Sequence, residues 1–221
     1  MISRIWSRQT HDDILVGEGV YLRPPVHADY AEWRELREES RSFLQPWEPK
    51  WTDTELSKSA FRYRLRRYSA ERRAGTSFPY FLFNGLTHQL LGGINITHVR
   101  RGVSQAASMG YWMGQRYAGC GYMRRGTQRL LRHMFEHEKL HRVEAACLPS
   151  NEVSIGLLKR VGFHEIGYAR DYLHINGRWQ DHVLFACLSE DLRIIDTISP
   201  SIEVSGDKSP LKGEGDVKHA L

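Results

Sequence analysis

Sixteen consecutive residues concentrate the chemistry this chain could do: Gly110-Tyr-Trp-Met-Gly-Gln-Arg-Tyr-Ala-Gly-Cys-Gly-Tyr-Met-Arg-Arg125. Met109, Tyr111 and Met113 alternate as in a strand, the chain turns through Gly119 and Gly121, and an amphipathic helix follows. A strand that opens through glycines into a helix start aims several backbone N–H groups at one point. The helix dipole adds positive potential there, so an anion is favoured. Glycine lets backbone approach a ligand with no Cβ in the way.

The elements that must hold this turn can be read on either side of it. Val20–Pro24 alternates as a strand, and His27–Glu39 has Tyr30, Trp33, Leu36 and the stem of Arg37 at helical spacing. Ser42–Trp51 carries two prolines and is expected to be an irregular loop holding Phe43, Leu44, Trp47 and Trp51. Thr52 or Asp53 is expected to cap a second helix whose polar face bears Lys58, Arg62, Arg66, Arg67, Arg72 and Arg73. That face reads as solvated, with an acidic or RNA-rich partner as the alternative, and no RNP, KH or zinc-finger signature supports direct nucleic-acid reading.

Strands are expected over 77–84, 90–99 and 105–113, the second with Gly92-Gly93. Beyond the glycine turn, Met123, Leu130, Leu131, Met134 and Phe135 make one helical stripe. Val143–Leu148 reads as a short buried strand. Pro149-Ser150-Asn151 opens a helix closed by Gly162, and Phe163–Arg170 is a strand. Tyr172–Ile175 and His182–Leu188 form a hairpin about Asn176-Gly177, a pair that suits a type I′ turn. The order predicts an α/β domain with a mixed, mostly antiparallel central sheet flanked by helices. Residues 18–195 form that domain, after an extension (1–17) expected to wrap loosely on the surface and before a disordered tail (196–221).

Composition bounds the function. The 221 residues are 41% apolar, with a formal charge of +5 and a pI near 9.2, which suits an anionic ligand or an RNA-rich setting. Three cysteines and eleven histidines lack metal-ligand spacing, so no metal is expected, and the odd cysteine count fits a reducing compartment. No run approaches the roughly 18 apolar residues of a membrane span, and Met1–Arg8 lacks a signal-peptide core. A cytoplasmic protein with no membrane partner and no direct nucleic-acid reading is expected.

From Val20 to Leu192 the sequence resembles the GNAT superfamily of N-acetyltransferases, more narrowly the RimJ-type ribosomal-protein alanine N-acetyltransferases. The broad resemblance lies in the strand–glycine turn–helix and in Asn151-x-x-Ser154 followed by Gly162-Phe163. The narrow one lies in Phe43-Leu-Gln-Pro-Trp-Glu-Pro49, Leu140-His-Arg-Val143 and the long run Gly167–Leu184. It implies the GNAT fold, acetyl-CoA as donor and a protein α-amine as acceptor, in particular that of an alanine-starting small-subunit ribosomal protein. An acetyltransferase for a small amine or antibiotic, and a non-catalytic acyl-CoA-binding module, are the alternatives.

The resemblance also implies roles. Tyr111 and Met113 would offer backbone to the pantetheine arm. Ala118, Gly119, Cys120, Gly121, Tyr122 and Met123 would cradle the pyrophosphate, with Ala118, Cys120 and Met123 departing from the family's usual side chains. Asn151 would bond the pantetheine, unless it only caps its helix. Many relatives place a tyrosine acid seven residues after this asparagine, where this chain has Leu158. Ser150 or Ser154 would then assist the leaving thiolate, and Glu144 or Asp171 would act as base. Each has an ordinary reading too, the serines as helix-start residues, Glu144 as a solvent-facing strand residue and Asp171 as a turn residue. Trp47, Trp51 and Tyr172 would shape the peptide side of the cleft or simply pack the long loop.

Overall fold

The computed structural model describes residues 14–192. The expected tail, and all but the last residues of the expected extension, lie outside the described residues. Eight strands form one sheet in the order β1-β2-β3-β4-β5-β6-β8-β7. They are β1 (Leu15–Gly17), β2 (Val20–Arg23), β3 (Phe78–Asn84), β4 (Leu90–Arg100), β5 (Ala106–Met113), β6 (Arg142–Cys147), β7 (His164–Ile175) and β8 (Arg178–Leu188). All neighbours pair antiparallel except β5 and β6. The mixed, mostly antiparallel sheet with flanking helices is the architecture expected from sequence.

Among the described residues, five helices flank the sheet: α1 (Tyr30–Glu39), α2 (Arg41–Leu44), α3 (Lys58–Arg73), α4 (Tyr122–Glu136) and α5 (Glu152–Arg160). The stripe of α4 (Met123, Leu130, Leu131, Met134, Phe135) packs with Leu82, Ile94, Val143 and Phe185 in one apolar cluster. Gly126 brings α4 in close, since a Cβ there would lie 2.7 Å from Leu82 Cδ1. The opposite face is covered by α1 and α3 through Trp33, Leu36, Phe61 and Leu65, packed on Phe81 and Phe83. Alternation along each strand assigns its residues to these two layers.

Three local readings are corrected. Leu15–Gly17 is no loose wrap: it pairs with Val20–Leu22 as a sheet edge, with Leu15 buried. The second helix is capped at Ser57, whose hydroxyl accepts from Ala60 N at 3.2 Å, rather than at Thr52 or Asp53. Residues 41–47 form α2 and a single 3₁₀ turn rather than irregular loop. Pro46 is tolerated there because the first residues of a helical turn need no N–H. The Asn176-Gly177 turn has the two positive φ angles that type I′ requires, 48° and 81°.

Candidate functional site

The strand on which the glycine turn depends is held by α1 and by β4. Its end at Gly114 abuts α1 so closely that a Cβ would lie 2.4 Å from Leu36 Cδ1. The next residue, Gln115, donates its N–H to Ser40 Oγ at 2.9 Å. Gly92 and Gly93 in β4 leave room for Trp112 of β5, since their Cβ atoms would lie 2.3 Å from its carbonyl oxygen and 2.6 Å from its indole nitrogen. The turn then projects from a fixed base.

Ala118, Gly119, Cys120 and Gly121 are exposed. Gly119 (φ 78°) and Gly121 (φ 76°) are left-handed, with open space where a side chain would begin. Gly121 is the N-cap of the fifteen-residue α4 and no side chain caps that end. The first N–H groups of α4 therefore face outward beside two glycines, an arrangement that fits a pyrophosphate. Side chains add little at this turn. Met123 is buried in the core, and the Tyr122 hydroxyl accepts from Asn84 Nδ2 at 3.3 Å. Cys120 Sγ donates to Ala118 O at 3.7 Å.

The second feature is a split in the sheet. β5 and β6 pair only over Ala106–Ser108 and Arg142–Glu144. Beyond Ser108, β5 keeps β4 as its neighbour and β6 keeps β8, so one edge of Met109–Met113 has no strand beside it. An extended polar chain can add to such an edge.

Tyr111 spans the split on the α4–α5 side. Its hydroxyl lies 2.5 Å from Ser154 Oγ, which lies 3.0 Å from Cys147 Sγ. Burial pushes the phenol well above the ordinary tyrosine value, and the thiol is also raised by burial. Both therefore stay protonated at neutral pH. Asn151 accepts from Ser154 N at 3.1 Å, so its capping role is realised. Leu158, one turn beyond Ser154 on α5, is wholly buried in the core. The contact of Tyr111 with Ser154 was the feature that sequence reasoning missed.

The other face of the split is open and polar. Val143, Ala145 and Cys147 point into the core, so Glu144 and Ala146 point the opposite way, as do Ser108 and the exposed Gly110 on β5. Both Glu144 oxygens are occupied, by Arg142 Nε and by Arg100, each at 2.8 Å. Partial burial raises the carboxyl, but these two hydrogen bonds outweigh it and hold it below its usual range. Glu144 is thus a weak proton acceptor. Asp171 lies in an exposed bulge of β7, two strand spacings from β6, or about 10 Å. It has φ 44°, and its N–H donates to Asp181 Oδ1 at 2.9 Å while Tyr168 donates to Asp181 Oδ2 at 2.6 Å. Glu144 and Asp171 are not brought together.

Ser150 is exposed and lines a separate open cleft of about 380 Å³ with Tyr168, Trp179, Gln180 and Asp181. Trp51 is buried, and its indole donates to Glu48 Oε2 at 2.8 Å. Arg37 forms a two-pronged pair with the same carboxylate (2.8 and 2.6 Å), its guanidinium lying 4.4 Å from the Trp51 ring and 4.9 Å from that of Trp112. Glu48 also accepts Asn176 N at 2.8 Å through its carbonyl, tying this loop to the β7–β8 turn. Trp47 and Tyr172 stay exposed. Among the described residues, no group of three or more His, Cys, Asp or Glu is placed to hold a metal, and no helix is long and apolar enough to cross a membrane.

Known proteins share this fold. Residues 20–164 match the model of the acetyltransferase (GNAT) domain. A [ribosomal protein uS5]-alanine N-acetyltransferase of Escherichia coli is 36% identical over 168 residues, covering 75% of this chain and 86% of that protein. RimJ of Mycobacterium smegmatis, solved in complex with CoA-disulfide, superposes with a TM-score of 0.77 at 29% identity, covering 84% of this chain and 92% of that one. A ribosomal-protein-S5-alanine acetyltransferase from Vibrio fischeri gives a TM-score of 0.74 at 29% identity, covering 80% and 98%.

Proposed function

The chain belongs to the GNAT acetyltransferase family, and on that premise we propose that it acetylates the α-amine of a ribosomal protein. An alanine start and a small-subunit protein are the favoured acceptor, as in the Escherichia coli relative. The reaction takes place in the cytoplasm, with residues 18–195 as the catalytic domain. The observation that carries the reading is the split between β5 and β6, open at one end to the glycine turn and on one face to solvent.

Bound acetyl-CoA supplies an activated thioester. The N–H groups at the start of α4, with Ala118 to Gly121, receive its pyrophosphate. Met109–Met113 offer backbone to the pantetheine arm, and Asn151 does so from the start of α5. Proton supply to the departing sulfur falls to the Tyr111–Ser154 pair. A phenol whose pKa is pushed up by burial stays protonated at neutral pH and can donate when negative charge appears beside it.

The weakness of Glu144 as a base favours an N-terminal acceptor. An α-amine has a pKa near 7.7–8.0, so roughly a third is uncharged at pH 7.5, against about one in a thousand for a lysine side chain. An α-amine can thus react with water as proton acceptor, whereas a lysine needs a strong base. Glu144, bonded to two arginines, is not one. That pairing also leaves little free negative charge to attract a polycationic antibiotic.

The test is mass spectrometry of peptide panels incubated with acetyl-CoA. Ala-, Ser- and Thr-starting ribosomal N-termini should each be compared with blocked peptides carrying lysine. One acetyl group added to free N-termini, fastest on alanine, is expected. Acetylation of the blocked lysine peptides alone would sink the α-amine assignment, and cofactor binding without product would point to a non-catalytic module.

A further inference from the structure

The charge of this molecule is concentrated on one helix. α3 carries seven Lys and Arg against one Glu, a net +6, while the whole chain is only +5. Part of that charge serves the fold. Arg64 pairs with Glu55 at 2.5 Å and lies over Trp33, Arg67 pairs with Glu71, and Arg72 lies over Phe78 and Tyr80. Lys58, Arg62, Arg66 and Arg73 are different. All four are exposed, and none has an acidic partner among the described residues.

Lys58, Arg62 and Arg66 repeat every fourth residue, about every 6 Å along the helix, and Arg73 continues the exposed face two turns on. Like charges at this spacing repel one another, so the array costs stability when nothing lies against it. Tyr63, 62% exposed, stands beside Arg62 and Arg66. At its N-terminal end the row borders a cleft of about 460 Å³, where Lys58 and Arg62 face His27 and Tyr30.

We infer that this face of α3 is a docking surface for RNA, gripping the phosphate backbone without reading sequence. A regular row of unpaired cations complements a regular polyanion, and Arg suits phosphate better than Lys because its planar fork bonds two oxygens. An exposed tyrosine adds a platform for stacking an unpaired base. The inference deepens the proposed function, because a ribosomal acceptor is presented among RNA. No RNA-recognition motif is needed, since the phosphate backbone is gripped without base readout.

Fluorescence anisotropy of the full chain with labelled single-stranded RNA, and with an RNA hairpin, tests the surface. Four phosphate contacts predict that single-strand affinity falls about fifty-fold between about 50 and 200 mM salt. Arg62→Glu with Arg66→Glu should weaken binding at least tenfold and flatten the salt dependence, while Arg62→Lys with Arg66→Lys retains most of it. Acetylation of a free peptide should be unchanged in both variants. Equal RNA binding by the charge-reversed and native chains would overturn the inference, as would tighter capture of an acidic peptide than of RNA. Failure of peptide acetylation with RNA binding intact would instead count against the proposed activity alone.

Discussion

The hydroxyl oxygens of Tyr111 and Ser154 lie 2.5 Å apart, at the place where β5 and β6 diverge. Ser154 and Leu158 occupy successive turns of one face of α5. The phenol therefore stands one helical turn from Leu158.

Tyr111→Phe should consequently lower kcat by about a hundredfold, with the KM for acetyl-CoA changed less than threefold. The lost hydrogen bond should cost about 1 kcal/mol of stability. Because burial raises the phenol's pKa, native kcat should not decline on the alkaline side up to pH 9. Steady-state kinetics across pH decide this. An unchanged kcat in the phenylalanine variant would return the proton step to water.

Gly121→Val should weaken acetyl-CoA binding more than tenfold by calorimetry. A β-branched residue is poorly tolerated at φ 76°, and its side chain would enter the space beside the first N–H groups of α4. The strain on the fold is about 1–2 kcal/mol, so melting should shift only a few degrees. A variant with native affinity would show that the pyrophosphate lies elsewhere.

Glu144→Gln should leave peptide acetylation within about threefold, since a carboxylate held by Arg100 and Arg142 is a poor base. The carboxyl's pKa is depressed in the folded chain. Its contribution to stability is therefore complete above the unfolded value near 4.5 and disappears as pH falls through the folded value. About a third of the side chain is exposed, which limits the contribution to about 1 kcal/mol. Urea titrations should separate the two proteins at pH 6 and bring them together as pH falls through the folded value. A loss of activity beyond a hundredfold would restore Glu144 as the base.

Arg37→Ala removes a buried cation from between two indoles and leaves Glu48 with Trp51 as its side-chain partner. Breaking such a pair costs about 3–5 kcal/mol, or roughly 10 °C of melting temperature for a chain of this size. The KM for peptide should rise more than that for acetyl-CoA, because Glu48 also carries the backbone link to Asn176. Equal effects on both constants would make the arginine a purely structural residue.

Features governed by neighbouring residues were legible in the sequence. The α4 stripe, the glycine turn and the Asn176-Gly177 hairpin each follow from local spacing or from backbone angles few residues adopt. The buried stem of Arg37 was visible in the α1 periodicity, but its carboxylate partner eleven residues on was not. Tyr111 and Ser154 are 43 residues apart and meet only because the sheet divides, a property of no single segment. β1 is three residues long, too short for its alternation to be seen. The long Gly167–Leu184 run proves partly architectural, as Asp181 fastens a bulge that a period of two does not foresee.

The three-residue ladder between β5 and β6 leaves the two parts of the sheet joined chiefly by the apolar cluster they share. On one side lie β1 to β5 and on the other β6, β7 and β8, while the α4 stripe shares its cluster with Leu82 and Ile94 of the first and Val143 and Phe185 of the second. Few backbone bonds cross that seam, so native-state amide exchange should find its lowest-energy openings there, well below the cost of global unfolding. A molecule lodged along the seam would bond to both halves and exclude those openings. Ligand occupancy would then slow exchange in residues it never touches.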